Sequence, residues 1–357
     1  MTTRHRLLGL TVAVLWGVNF LAIHVGLEHF PPLFFAGLRF AVLAVPVLLF
    51  VPWPRVPVRW VLLYGLGFGT VQFAFLFLAM ANGMPTGLAS LVLQASAPFT
   101  AILGVLLLGE RMSGLQVAGI TLAVAGMALI ATDRATHGAS AAVVPVILTL
   151  LGALGWAFGN VASRKAMEDN ADPRTPLRLT LWMSVVPPIP LFTLSALTEG
   201  PRAGGKALTT IGTHSGLIAL GGLVYIVVLA TIVGLGLWTF LMGRYPASRV
   251  APFSLLVPVV GITASWLALG ERPTILELVG AAVVITGCLL GMTARPPPPS
   301  ARPSVATRAS PRPASCPQPA PPRRATNLWA CRVCSRRSST ESSPVDSSTR
   351  TRTSSRF

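Results

Sequence analysis

Charged side chains are scarce in this chain of 357 residues, of which only 11% are Asp, Glu, Lys or Arg. An ordinary soluble domain contains about 25%. Apolar residues make up 52% of the sequence, and the mean hydropathy is +0.67. This composition excludes a single water-soluble globule. Most of the excess of basic residues lies in residues 295–357, which hold twelve Arg and two acids, so the remaining body is not expected to bind nucleic acid.

Cysteine is also rare, and three of the four cysteines lie after residue 315. A disulfide framework is not indicated, and the Cys331-x-x-Cys334 pair lacks the further ligands of a zinc site. No Gly-x-x-x-x-Gly-Lys-Ser/Thr loop occurs, which excludes ATP as the direct energy source. The apolar segments hold no positioned nucleophile, acid–base pair or metal cluster. We therefore expect no cofactor, no metal and no enzymatic activity.

Long apolar segments dominate the sequence from its start to Thr293. A helix needs about 20 apolar residues to cross roughly 30 Å of hydrocarbon. Ten segments approach this length: 7–27, 33–51, 60–81, 87–108, 115–131, 142–163, 177–197, 216–241, 250–269 and 275–293. The segment 87–108 carries no charge on any face, which argues against a soluble bundle. The predicted fold is an all-α polytopic membrane protein with ten transmembrane helices, whose partners are the lipid bilayer and a small-molecule solute.

Basic residues are unevenly distributed among the loops that would connect these spans. If the N-terminus is inside, ten Lys and Arg fall in inside loops and four in outside loops. Positively charged loops tend to stay in the cytoplasm. Both termini are therefore predicted to be cytoplasmic.

The two halves of the chain repeat each other. Gly109-Glu110-Arg111 recurs in the second half as Gly270-Glu271-Arg272, and Gly119 recurs at the same offset as Gly280. Since five spans is an odd number, the second copy must enter the bilayer from the opposite side, as in transporters that work by alternating access. The predicted domains are a five-helix repeat at 1–133, a second at 141–293, and a disordered tail rich in Pro, Ser and Arg at 294–357.

Several contiguous blocks are similar to a known family. They are Trp16-Gly17-Val18-Asn19-Phe20, Ala36-Gly37-Leu38-Arg39-Phe40, Gln72-Phe73-Ala74-Phe75-Leu76-Phe77 and Gly87-Leu88-Ala89-Ser90-Leu91-Val92-Leu93-Gln94-Ala95. These blocks resemble the drug/metabolite transporter superfamily and, more narrowly, its EamA-type exporters of O-acetylserine and cysteine. The resemblance covers about 5–293 and implies secondary active efflux of amino-acid metabolites across the bacterial inner membrane. A shared scaffold does not fix the solute, so a drug, purine or sugar derivative is the alternative.

Uncharged polar side chains lie near the middle of several spans. Because exposing them to hydrocarbon is costly, they are expected to face the bundle interior. Amides offer both donors and acceptors to a zwitterion, and an indole face can bind an ammonium group. The predicted substrate-binding residues are Trp16, Asn19, Gln72, Gln94, Trp156, Asn160 and Trp238. The alternative is that the amides join helices and the tryptophans mark the membrane interface.

Two prolines, Pro98 and Pro258, lie inside spans and are predicted helix breaks. Each removes a backbone donor and frees the carbonyl four residues earlier, at Gln94 and Ser254. Such carbonyls are tolerated at this depth where they line a cavity or meet another helix. Both spans are therefore predicted to border the central pathway, with kinking for packing alone as the alternative.

Arg39 is the basic residue that lies well inside a span, roughly 10 Å from its end. It is interpreted as gating the pathway or attracting an anionic group, and the alternative is an arginine that snorkels and pairs with a carbonyl. No carboxylate lies mid-span, so His24 is the candidate for coupling to protons, with a structural histidine as the alternative. Coupling to protons and facilitated exchange both stay open. Glu110 and Glu271 are interpreted as turn and helix-start residues.

Overall fold

The computed structural model describes residues 1–110, 112–137, 143–168, 172, 174–245 and 247–293. These residues form ten long helices and contain no strand. The helices are α1 (Thr3–Leu27), α2 (Pro32–Phe50), α3 (Val58–Ala81), α4 (Thr86–Leu108), α5 (Gly114–His137), α6 (Val143–Met167), α7 (Thr175–Thr198), α8 (His214–Arg244), α9 (Ala251–Leu269) and α10 (Ile275–Thr293). Each overlaps its predicted span, so the prediction of an all-α polytopic fold is confirmed. The predicted tail, 294–357, lies outside the described residues.

The length and the exposed surfaces of the helices suit the hydrocarbon core of a membrane. Among the described residues, nine helices are long and apolar enough to cross a membrane, and α10 adds the shorter apolar segment Ile275–Gly291. Large apolar side chains such as Phe50, Ile189 and Leu197 are more than three-quarters exposed. Surfaces of this kind are stable against lipid tails rather than water.

The helices pack in a two-fold pattern that exchanges the repeats. Helix α1 packs against α8 and α9, and its counterpart α6 packs against α3 and α4. Helices α2 and α7 pack together, as do α5 and α10. Every helix of the first repeat thus lies against a helix of the second. This is the arrangement that inverted repeats produce.

The third helix of each repeat contains a π-helical segment, Gly65–Val71 in α3 and Tyr225–Val233 in α8. In α3 the Thr70 hydroxyl donates to the Gly65 carbonyl at 3.4 Å. In α8 the Thr231 hydroxyl donates to the Ile226 carbonyl at 2.7 Å. Thr70 and Thr231 are related by the same offset in the sequence as the two Gly-Glu-Arg segments, so they are equivalent positions of the repeats. Such π segments often mark functional sites.

The fourth helix of each repeat has a 3₁₀ turn before its proline. The turn is Leu93–Ala95 in α4 and Ala251–Leu255 in α9. Both helices end at a glycine with a left-handed backbone, Gly109 with φ 67° and Gly270 with φ 68°. A side chain at either position would be strained, which explains the glycine in each Gly-Glu-Arg segment.

The fifth helices, α5 and α10, meet through glycines. A Cβ atom on Gly119 would lie 2.6 Å from the Gly287 carbonyl oxygen, and one on Gly126 would lie 2.8 Å from the Gly280 carbonyl oxygen. The two backbones are therefore too close for any side chain at these positions. Small residues are the usual means of joining helices inside a membrane.

Candidate functional site

Trp16 of α1 and Trp238 of α8 form one aromatic pair, with ring centroids 5.2 Å apart. The indole N–H of Trp16 donates to the Ala230 carbonyl at 3.0 Å. Ala230 belongs to the π segment of α8. The structure therefore brings these two predicted residues together at the junction of α1 with the irregular part of α8.

Trp156 and Asn160 of α6 lie against the first repeat. The Trp156 ring meets Phe68 of α3 edge to face, with centroids 5.5 Å apart. The Asn160 side chain donates to the Thr100 hydroxyl of α4 at 3.1 Å. This second group of predicted residues is thus set between α6, α3 and α4.

Gln94 links α4 and α9, the helices that contain Pro98 and Pro258. Its side-chain nitrogen lies 3.5 Å from the Ser254 carbonyl oxygen of α9. Ser254 is four residues before Pro258, whose ring offers that carbonyl no N–H. The carbonyl that the sequence predicts to be freed therefore meets a side chain from the opposite repeat.

Asn19 and Gln72 each have a buried amide oxygen that accepts no hydrogen bond from the described residues. The Gln72 side chain is almost fully buried in α3. A buried acceptor that stays unpaired costs about 1–3 kcal/mol. Both amides are consequently able to accept a donor from a bound solute.

Arg39 of α2 is 7% exposed. Its guanidinium carbon lies 4.1 Å from the centroid of the Phe73 ring and 5.0 Å from that of Phe40. One terminal nitrogen donates to the Thr231 hydroxyl at 3.3 Å, and the other has no partner among the described residues. The structure therefore holds a buried cation with one free donor beside the π segment of α8.

Two cavities lie away from these amides. One of about 200 Å³ is lined by residues of α4, α9, the segment after α9 and the start of α10, including Gly87, Ser265 and Glu271. The other, of about 130 Å³, lies between α4, α5 and α10 and includes Pro98 and Cys288. Of the predicted site residues, Pro98 lines the second cavity, and the seven predicted binding residues line neither.

Carboxylates join the repeats at one end of the bundle, which we call the Glu271 end. Glu271, just after α9, accepts hydrogen bonds from the backbone N–H groups of Thr86 and Gly87 at the start of α4, at 2.9 and 3.1 Å. Glu199, just after α7, accepts from Leu33 and from the next residue in the first turn of α2, at 2.6 and 3.1 Å. Sequence reasoning missed these links between repeats, because a carboxylate after a helix gives no indication of which other helix it will meet.

The opposite end, which we call the Glu110 end, is held differently. Glu110 forms an ion pair with Arg164 at the end of α6. The Trp182 indole N–H of α7 donates to the Val51 carbonyl at 3.1 Å. Glu110 and Glu271 therefore have different kinds of partner, although they occupy equivalent positions in the two repeats.

Comparison with known proteins agrees with this architecture. Residues 5–132 and 143–293 match the EamA-like transporter family. A probable amino-acid metabolite efflux pump of Escherichia coli K12 is 44% identical over 292 residues, which cover 82% of this chain and 96% of that protein. A protein of the same description from Salmonella typhimurium is 42% identical over the same coverage. A crystal structure of a protein 20% identical in sequence has the same fold, with a TM-score of 0.54 over 81% of this chain and 96% of that one.

The fold and its duplicated helix breaks define a multi-pass membrane transporter made of two inverted five-helix repeats. The chain belongs to the EamA-like transporter family, which confirms the resemblance drawn from its sequence blocks. It is a multi-pass transporter of the inner membrane. In the described ranges, no group of three or more His, Cys, Asp or Glu side chains is placed to hold a metal ion.

Proposed function

We propose that this protein exports small amino-acid metabolites of the cysteine and O-acetylserine kind by alternating access. The solute binds at a site between the inverted repeats, formed by the three tryptophans and four amides predicted from the sequence, and Arg39 attracts its anionic group. Two relatives that share 44% and 42% of their residues with this chain are described as probable amino-acid metabolite efflux pumps, which supports this solute class.

The uneven contact between α4 and α9 carries the proposal. A Cβ atom on Gly87 of α4 would lie 2.9 Å from the Ile262 Cα of α9, and one on Gly261 of α9 would lie 2.5 Å from the Ser90 hydroxyl of α4. The halves of the two helices nearest the Glu271 end therefore touch closely. Together with the Glu271 carboxylate, this contact closes that end of the bundle.

Toward the Glu110 end, α4 and α9 have separate neighbours. A Cβ atom on Gly104 of α4 would meet the Glu110 carboxylate, which is paired with Arg164 of α6. In α9 the Phe253 ring lies against Gly9 of α1. The two helices thus cross near their middle and are separated from each other between that crossing and the Glu110 end. Because the repeats are inverted, the mirror arrangement, closed at the Glu110 end, is the natural second state.

The polar groups without partners fit a zwitterion. The amide oxygens of Asn19 and Gln72 can accept hydrogen bonds from an ammonium group. The free nitrogen of Arg39 can bind a carboxylate, which supports its proposed role in attracting an anionic group. An amino-acid metabolite carries both of these groups.

The proposed orientation places both termini in the cytoplasm. The excess of basic residues in the inside loops supports it. The Glu271 end is then external and closed, and the Glu110 end faces the cytoplasm. In this orientation the described conformation is the one that loads solute for export.

Counterflow in liposomes tests this function. The purified full chain is reconstituted, the liposomes are loaded with unlabelled cysteine or O-acetylserine, and uptake of the labelled solute is measured with and without a pH gradient. We expect saturable counterflow that protein-free liposomes lack. A purine, a sugar derivative and a cationic drug form the comparison panel.

The possible results distinguish the solute class, the transport mechanism and the coupling ion. Exchange of a panel solute without exchange of either amino acid would replace the solute class and leave the mechanism in place. Flux that neither saturates nor exchanges would identify a passive channel and refute alternating access. Dependence of the rate on the pH gradient would identify protons as the coupling ion.

A further inference from the structure

Glu271 closes its end of the bundle by binding the backbone of a helix. Its two oxygens accept from the N–H groups of Thr86 and Gly87, at 2.9 and 3.1 Å. These hydrogen bonds are charge-assisted, and the positive end of the α4 dipole adds to them. Helix α4 cannot move away from α9 at this end unless both bonds break.

Glu110 is the repeat equivalent of Glu271 and has an equivalent target. The offset in the sequence that relates Glu110 to Glu271 also relates Thr86 to Ala247. Ala247 begins the helical turn Ala247–Val250, which runs without a break into α9. If the Glu110 end closed as the Glu271 end does, the Glu110 carboxylate would meet the N–H groups at the start of this continuous helical stretch.

In the described conformation Arg164 holds Glu110 away from that target. The two side chains form an ion pair at the ends of α6 and α4. Both are exposed, at 49% and 40%, and exposed ion pairs contribute little to stability. Glu110 can therefore leave Arg164 at small cost once a better partner comes within reach.

We propose that Glu271 and Glu110 are alternating latches. Glu271 holds α4 while the external end is closed. When that end opens, Glu271 releases α4, and Glu110 leaves Arg164 and binds the first N–H groups of the helical stretch that begins at Ala247, which closes the cytoplasmic end. Both acids are positioning residues that set the balance between two states without touching the solute, and the proposal rests on the alternating access argued above.

The latches explain how closure at one end can be exchanged for closure at the other without a large difference in free energy between the two states. Each state keeps one carboxylate on a helix start, so the charge-assisted bonds lost at one end are replaced at the other. Such an exchange keeps the two states close in free energy, as a carrier that must visit both requires.

Labelling of a cysteine at Ser265 tests the first latch. Ser265 is 2% exposed and lines the cavity of about 200 Å³ beside Glu271. Ser265→Cys is placed in a full-length chain whose native cysteines are replaced by alanine, and a membrane-impermeant maleimide is applied to whole cells. We expect Glu271→Gln to raise the labelling rate about tenfold, because hydrogen bonds to a charged group shift a two-state balance by roughly that factor. Glu271→Asp should give an intermediate rate.

A matched control removes a carboxylate from the same end. Glu28 is exposed and lies 3.7 Å from His24 of its own helix. Glu28→Gln should leave the Ser265→Cys labelling rate unchanged. Equal rates in Glu271→Gln and Glu28→Gln would overturn the first latch.

Two further substitutions each break the ion pair between Glu110 and Arg164. They distinguish a latch from a purely structural ion pair, because a latch predicts opposite effects for the two variants. Arg164→Gln frees Glu110 for its second partner, so it should raise the external labelling rate of Ser265→Cys. Glu110→Gln removes the second latch, so it should lower that rate. Equal changes in the same direction would show that the ion pair is only structural and would overturn the second latch.

The labelling needs no solute and so separates this proposal from the proposed function. If labelling is the same in all variants while counterflow persists, the latches are refuted and alternating access stands. If counterflow of every solute fails while the labelling rates shift as predicted, the latches stand and the solute class is refuted. Membrane protein amount and thermal stability in detergent identify any variant that fails to fold.

Discussion

Arg39 shows how a single residue keeps a charge inside a membrane helix. The sequence allows two interpretations, an anion-attracting group or an arginine that snorkels to a carbonyl. The observed partners are the Phe73 ring, 4.1 Å from the guanidinium carbon, and the Thr231 hydroxyl at 3.3 Å. A desolvated cation over an aromatic ring gains about 2 kcal/mol. These contacts stabilise the cation, and one terminal nitrogen has no partner among the described residues.

The amides are tested one residue at a time. Asn19→Ala and Gln94→Ala should each lower export without lowering the amount of protein in the membrane, because they remove groups proposed to bind the solute. Each lost hydrogen bond should cost about 0.5–1.5 kcal/mol, which corresponds to a few-fold weaker export. Resistance of cells to externally supplied cysteine precursors, measured against immunoblots of membranes, provides the readout.

Asn82→Ala is the matched control for the amides. Asn82 lies after α3, and its exposed side chain donates to the Leu78 carbonyl at 2.7 Å. This variant should export normally. Full resistance in both Asn19→Ala and Gln94→Ala would remove these amides from the site.

Among the helices, α5 and α10 are in backbone contact and leave little room for an added side chain. A Cβ atom on Gly287 would lie 2.6 Å from the Ala123 nitrogen, whereas one on Gly291, a turn later in α10, would meet nothing within 4 Å. Gly287→Ala should destabilise the protein by about 1–3 kcal/mol through overpacking. Gly291→Ala should not, and thermal unfolding in detergent measures both.

A drop of several degrees in the Tm of Gly287→Ala alone is the expected pattern. An equal Tm for the two variants would mean that α5 and α10 separate without cost. In that case the glycines would not be what holds the fifth helices of the repeats together.

The sequence predicts the helices well, because the length of each apolar segment is enough to identify a membrane-spanning helix. All ten spans are found, and α6 at Val143–Met167 extends the predicted 142–163 by only four residues. The π segments were not predicted, because the sequence does not show that a threonine hydroxyl in each of them, Thr70 and Thr231, bonds a carbonyl five residues back. The recurrence of threonine at the offset of the repeat was the available signal.

The site was harder to predict than the helices, because mid-span position does not say which neighbour a side chain will meet. Trp16 and Trp238 come together across the two repeats, while Asn160 meets Thr100 on another pair of helices. The sequence predicts a local turn or helix-start role for Glu271, whereas its partner Thr86 is 185 residues away. Only the packing of the whole bundle creates such pairs.

For the whole molecule, the antiparallel relation of the repeats makes a direct prediction. Asp133 near the end of α5 and Glu168 just after α6 are separated by one crossing, so they should lie in opposite compartments. Alkaline phosphatase fused after Asp133 should be active, and the same enzyme fused after Glu168 should be inactive, because it folds only outside the cytoplasm.

A fusion after Glu110 is the control for this topology, since Glu110 and Glu168 are separated by two crossings. It should behave like the fusion at Glu168. Equal phosphatase activity at Asp133 and Glu168 would contradict the inverted arrangement and, with it, alternating access.

One contact breaks the symmetry of the molecule. Glu199 ties α7 to α2 at the Glu271 end, and the matching segment after α2, 51–57, contains no acidic residue. In the proposed alternating-access cycle, this extra contact favours the state that is open at the Glu110 end, and apparent affinity scales with the occupancy of the competent state. In the proposed orientation, cytoplasmic solute would saturate the protein at low concentration, while solute accumulated outside would be a poor product inhibitor. The solute and ion gradients still decide the direction of net flow. The asymmetry decides how much the export rate falls as the external solute concentration rises.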